Sequence, residues 1–209
     1  MPARMNHKTL SAVLVFAAAV ALSACGNDVS SEEGARRAYL GLDLAVEKSL
    51  KLGFDGFNAA NSANIPAQST TGDATGTLKI TGQVDQGASA NKGMRLKIEL
   101  TEYSDGEIVV GEDEDPIEIT YATSTDPSAQ PSLNLNLKNI PTGTLEGTLV
   151  GDFQMTGDLE DTVRLNLTFS GALEDDGSGG TRRKLGTTRV TGTATSVIGE
   201  GVYQVDLTI

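Results

Sequence analysis

Nucleophilic and metal chemistry rests on a few side-chain types, and this sequence is short of two of them. Its one histidine, His7, and its one cysteine, Cys25, both lie near the start of the chain. Past Cys25, no Ser-His-Asp or Cys-His arrangement can be built, and the same census excludes zinc held by imidazole and thiolate. Oxygen donors remain. Glu112-Asp113-Glu114-Asp115, joined by Asp105 or Glu107, are weak candidates for a calcium loop, because clustered carboxylates profit from a divalent ion. The spacing departs from an EF-hand, with no central glycine among alternating ligands and no distant bidentate glutamate, so a solvated acidic loop is the plainer reading.

Other strings imitate motifs without completing them. Ser89-Ala90-Asn91-Lys92 fits the Ser-x-x-Lys of penicillin-binding enzymes, and Ser104-Asp105-Gly106 half echoes their second signature. No Lys-Thr-Gly follows, however, and Ser89 falls in a hairpin loop rather than at a helix start. Asp176-Gly177-Ser178-Gly179-Gly180 lacks the Gly-Lys-Ser/Thr of a phosphate loop, and its acids would repel a phosphate. Arg182-Arg183-Lys184 is the only basic cluster past the N-terminus. It could meet a headgroup or an acidic partner, although such triplets are usually just solvated. A paired-carboxylate glycosidase is easy to write for so acidic a chain, which gives it little weight, and the absence of Trp weakens a sugar site further. No catalytic residue is assigned, and the chain is read as a non-enzyme.

Cys25 stands in a more specific setting. A basic stretch with Arg4, His7 and Lys8 precedes an apolar run from Ser11 to Ala21 and then Leu22-Ser23-Ala24-Cys25, the layout of a secretory signal. The apolar run is shorter than the roughly 20 residues that span a bilayer. Leu22, Ser23, Ala24 and Cys25, with Gly26 next, resemble the lipobox of bacterial lipoprotein precursors, a resemblance confined to residues 1–26. It implies that the Cys25 thiol receives a diacylglyceryl group, that a peptidase removes residues 1–24, and that the new amine is acylated. By the sorting pattern of that family, Gly26 in place of an acid implies the outer membrane ahead of the inner one. Each buried methylene contributes about 0.8 kcal/mol, so two or three acyl chains hold durably where one binds reversibly. This covalent lipid is the only cofactor expected.

Loss of residues 1–24 would remove Arg4 and Lys8 and no acid, taking the formal charge from −12 to −14. Nucleic acid is therefore not an expected partner, and the body should not lie flat on anionic headgroups by electrostatics. With 24 Gly, no Trp and 4% aromatic residues, the core must be built from Leu, Ile and Val, without internal disulfides.

The elements follow from periodicity. After a polar tether, Asn27 to Ser31, Ser30 and Glu33 read as a capping box. Tyr39, Leu42, Val46 and Leu50 fall on one face of a helix from Glu32 to about Leu52, with Gly53 as the stop. Gly53 to Phe57 read as a turn and Asn58 to Gly72 as irregular. From Thr75 the period becomes two. Leu78-Ile80-Val84, Met94-Leu96-Ile98-Leu100, Ile117-Ile119-Tyr121, Leu133-Leu135-Leu137, Leu145-Leu149-Phe153-Met155, Val163-Leu165-Leu167-Phe169, Thr188–Thr195 and Tyr203-Val205-Leu207-Ile209 mark about eight strands. Turn signals at Ser104-Asp105-Gly106 and Pro141-Thr142-Gly143 favour hairpins. Two loops, Gly111 to Pro116 and Glu174 to Lys184, are expected to be mobile.

The expected fold is mainly β: an antiparallel meander forming a curved sheet, barrel-like body or sandwich, with one N-terminal helix packed on it. The domain boundaries are 1–24 (signal peptide), 25–31 (lipidated Cys25 and tether), 32–72 (helix and irregular segment) and 73–209 (β domain), with the last two packed as one. A membrane-spanning barrel is disfavoured by the lack of aromatic girdles. The expected function is a membrane-anchored envelope lipoprotein, a structural or interaction β-domain whose partners are the membrane, through its lipid, and an envelope protein. The alternative is a carrier of a lipid or other apolar ligand in a half-barrel covered by the helix, with Gly147 and Gly151 leaving space inside.

Overall fold

A computed structural model describes residues 27–111 and 114–209. Signal-peptide and lipobox residues, including Leu22, Ser23, Ala24, Cys25 and Gly26, lie outside the described residues, as do Glu112 and Asp113.

The chain opens with the expected N-terminal helix in two segments, α1 (Glu32–Leu40) and α2 (Asp43–Ala59). Ser31, one residue later than the capping box placed it, is the N-cap, and its hydroxyl accepts from the Gly34 N–H at 3.0 Å. Glu33 turns instead to Arg36 and Arg37. The predicted face is the buried one, with Tyr39, Leu42, Val46 and Leu50 all inside. Gly53 does not stop the helix. A methyl group on Gly53 would stand 2.7 Å from Met94 Sδ, and one on Gly56 the same distance from Ile65 Cδ1. These glycines let α2 lie close on the sheet, a role that overrides their modest intrinsic cost in a helix.

Each of the eight predicted strands is present: β2 (Thr75–Val84), β3 (Lys92–Ser104), β5 (Ile117–Ala122), β6 (Ser132–Lys138), β7 (Thr144–Gly157), β8 (Asp161–Asp175), β10 (Arg189–Ser196) and β11 (Val202–Thr208). Three more were not read from the pattern: β1 (Asn64–Thr71), β4 (Glu107–Ile108) and β9 (Thr181–Arg183). Every pairing is antiparallel, and the sheet runs β1-β2-β3-β5-β7-β8-β10-β11. Strands β5 and β6 share one slot between β3 and β7. Tyr121 faces Tyr103 and Met155, whereas Leu133 faces Leu96 and Leu149. An excursion between Ala122 and Ser132 interrupts what would otherwise be one strand.

A flat sheet of eight strands spaced about 4.8 Å apart would be roughly 34 Å wide, far broader than a single helix about 10 Å across. Yet Ile80, Leu96, Tyr121, Leu149, Leu165, Val190 and Val205, from strands across the whole sheet, are all buried in one core. The sheet must therefore curl around the helical segment, which packs on β11 through α1 and on β1 and β2 through α2. Gly41 sits against the ring of Tyr121, whose hydroxyl donates to the Ala38 carbonyl at 2.9 Å.

Candidate functional site

Asn27 to Ser31 form no free tether. Val29 is fully buried, the Asn27 carbonyl accepts from the Glu160 N–H at 2.7 Å, and the Val29 N–H donates to Asp161 Oδ2 at 3.0 Å. Asp161, the first residue of β8, is buried and gathers the ends of three separate stretches of chain. Its Oδ1 accepts from the N–H groups of Thr162, Val197 and Ile198 at 2.7, 3.3 and 3.0 Å, and its Oδ2 also accepts from the Ser196 hydroxyl. That hydroxyl in turn accepts from the Gly199 N–H at 2.7 Å. Burial alone would raise the carboxyl's pKa. The Ser196 hydroxyl and the N–H groups of Ile198, Val29 and Thr162 outweigh it and hold the pKa below the ordinary 3.8, so Asp161 is charged at neutral pH. One carboxylate thus fixes both the point where the chain enters the domain and the turn between β10 and β11.

This turn carries Val197, Ile198 and Val202, each more than 60% exposed. Its backbone is held by Ser196 N–H to Gly201 O at 2.8 Å and Val197 N–H to Thr162 O at 3.0 Å. Gly199 lies on the entering chain, close to the Val29 carbonyl and Asp28. The site is an exposed apolar turn tied through Asp161 to the entering chain.

A second charged cluster lies where α2 meets β9. Arg183 was grouped with Arg182 and Lys184 as solvated, but only about a tenth of its side chain is exposed. It pairs with Asp43 and Glu47, and Tyr39 Oη donates to Asp43 Oδ1 at 2.8 Å. Burial works to lower the Arg183 pKa, but the Asp43 carboxylate, helped by Tyr39 and Glu47, raises it above its ordinary value. A surface groove of about 320 Å³ runs beside this cluster, with Leu44, Leu185, Thr188 and Ile209 in its wall. Glu174 to Lys184 contains the β8–β9 hairpin, its turn closed by Asp176 Oδ1, which accepts from the Ser178 and Gly180 N–H groups.

Of the calcium candidates, Glu112 and Asp113 lie outside the described residues, and two of the others, Glu114 and Asp105, are engaged elsewhere. Glu114 is paired with Arg36 at 3.1 Å and Arg37 at 2.6 Å, and Asp105 with Lys48. Among the described residues, no group of three or more His, Cys, Asp or Glu converges as for a metal. Ser89 lies in the β2–β3 loop, while Lys92 donates to the Gly87 carbonyl and stands 4.5 Å from the Phe57 ring centre. The interior spaces expected at Gly147 and Gly151 are filled: a methyl at Gly147 would stand 2.7 Å from Leu135 Cδ2, and one at Gly151 2.5 Å from Pro131 Cα. No helix among the described residues is long and apolar enough to cross a membrane.

No family model, curated protein or solved structure matches the chain. The residues that matter at this end, Val29, Asp161 and Ser196, carried no motif. Val29 is the one apolar residue among Asn27, Asp28, Ser30 and Ser31, a weak sign that this stretch is bound rather than free.

Proposed function

We propose that this chain is a lipid-anchored protein of the cell envelope, its β-domain a non-enzymatic structural or interaction module held at a membrane through Cys25. The lipobox-like Leu22-Ser23-Ala24-Cys25-Gly26 motivates the reading, and its sorting pattern favours the outer membrane. The observation that carries it is the Asp161 clasp. An anchored domain needs a firm join where the anchor enters, and here residue 27 is bound to Glu160 and residue 29 to Asp161. One residue, Gly26, separates Asn27 from Cys25, a reach of about 7 Å over two Cα steps, so the lipid would emerge directly beside the clasp.

The packed interior weighs against the carrier alternative, because the space beneath the helix is occupied by Tyr121, Met94 and Ile65 against Gly41, Gly53 and Gly56. The groove beside Arg183 is the place left for an apolar ligand, and native mass spectrometry of a Cys25→Ala form would reveal one. For the anchor, the test is metabolic labelling with a fatty acid followed by density fractionation of the membranes. Label on the wild-type protein, its loss in Cys25→Ala and release of that variant from the membrane fractions are expected. A Cys25→Ala protein that remains membrane-bound as fully as the wild type refutes the anchor.

A further inference from the structure

We infer that the β10–β11 turn is a membrane-contacting tip, its Val197, Ile198 and Val202 entering the boundary between lipid headgroups and acyl chains beside the anchor. The inference rests on the reading of Cys25 as the lipid attachment and goes beyond it, since an anchor alone leaves the orientation of the domain free.

Three observations converge. The turn holds three of the large apolar side chains that the described domain leaves most exposed, on neighbouring positions of a single hairpin. Isolated exposed aliphatic residues need no explanation, but a cluster on a rigid tip does. The tip also lies at the entry of the chain. Gly199 packs on the Val29 carbonyl, and Val197 and Ile198 share the Asp161 carboxylate with Val29, so lipid on Cys25 and this turn are presented on the same side of the domain. Finally, the turn is braced from within, by Ser196 N–H to Gly201 O and by the Ser196 hydroxyl on Asp161, so its side chains are displayed without being free to fold back.

Charge sets the depth. Glu160 and Glu200 flank the tip and are exposed, and a carboxylate is costly to bring into hydrocarbon. The tip therefore enters only the shallow zone, about 5–10 Å deep, that amphipathic surface elements occupy. The acids stay among the headgroups, and their charge argues against attraction by anionic lipid as the cause of contact.

The test uses the mature, lipidated protein in vesicles of phosphatidylethanolamine and phosphatidylglycerol. Since the only native sulfur of a cysteine is consumed by lipid, Ile198→Cys introduces a unique thiol for an environment-sensitive fluorophore. Leu185→Cys gives the comparison, because Leu185 is 89% exposed and follows β9, which pairs with the far end of β8 from Asp161. The expected result is blue-shifted emission from Ile198→Cys, quenched by a spin label on the upper acyl chain several-fold more strongly than that from Leu185→Cys. Water-like emission from both, in protein that still floats with the vesicles, overturns the tip and leaves the anchor standing. Protein that does not float, or wild type whose Cys25 reacts with the thiol reagent, overturns the anchor and the tip with it. A blue shift without lipid quenching that vanishes as the protein is diluted among vesicles assigns the patch to a second copy and overturns membrane contact.

Discussion

The guanidinium of Arg183 lies fork to fork on the carboxylate of Asp43, with Nη1–Oδ1 at 2.7 Å and Nη2–Oδ2 at 3.0 Å, while its Nε reaches Glu47 at 2.6 Å. Since Arg183 is largely buried, removing it leaves two acids facing each other without a counter-charge. Arg183→Met should lower stability by roughly 3 kcal/mol in urea unfolding, and Arg183→Lys, which cannot reproduce the fork, by a good part of that. Arg182→Gln, at the exposed neighbour, should stay within about 0.5 kcal/mol of wild type.

Asp161 predicts a dependence on acid. Its folded pKa is depressed, so its contribution is complete above the ordinary carboxylate value of 3.8 and fades as pH falls through the lower folded value. Asp161→Asn keeps the shape but turns a charged acceptor into a group with its own donors. A loss of about 2–3 kcal/mol at pH 7 is expected, and the gap between variant and wild type should narrow below about pH 4. Denaturant midpoints at both pH values measure it. A gap that is constant across that range contradicts the charged clasp.

Close approach of helix and sheet can be read through Gly41. Because the position is occupied up to the Tyr121 ring, Gly41→Ala should be destabilising by about 1–3 kcal/mol despite the better helix propensity of alanine. Tyr121→Phe removes the oxygen nearest that methyl, so the double variant should lose less than the two single losses added together. Thermal or urea unfolding of the four proteins forms the cycle.

Calcium should leave the protein unmoved. Glu114 already faces two guanidinium groups, and Glu33, shared by the same arginines, is lowered to about 2, chiefly by its bond to Arg36 against the effect of burial. Melting curves with added calcium and with chelator should superimpose. A rise in melting temperature with calcium would restore the acidic loop as a site.

The strands were legible wherever one face is buried and the other wet, because Leu133-Leu135-Leu137 or Val163-Leu165-Leu167 then alternate with a period of two. Strand β1 escaped because it is an edge that buries only Ile65 and carries Pro66, so its pairing with β2 leaves no apolar rhythm in the sequence. Gly53 misled for a different reason. A glycine that ends a helix and one that admits a neighbour are the same letter, and only Met94 across the interface distinguishes them. The clasp was illegible because a single buried carboxylate among 28 acids has no signature until the fold places Val29 and Ser196 around it. Arg183 was hidden in the same way, by neighbours of its own charge.

The helical segment touches β1 and β2 at one edge of the sheet and β11 at the other, and Val29 is held by Asp161 of β8, to which Ser196 of β10 also donates. Strand pairing in the meander is largely between near neighbours along the chain, so hairpins can zip as they appear. Segment α2 packs on β1 and β2, the hairpin that follows it, whereas α1 packs on β11, the last strand. In a chain delivered from its N-terminus, α1 thus precedes every strand and yet meets its main partner last. Late closure of this kind leaves the face of α1 that packs on β11 uncovered for as long as the C-terminal strand is still to come.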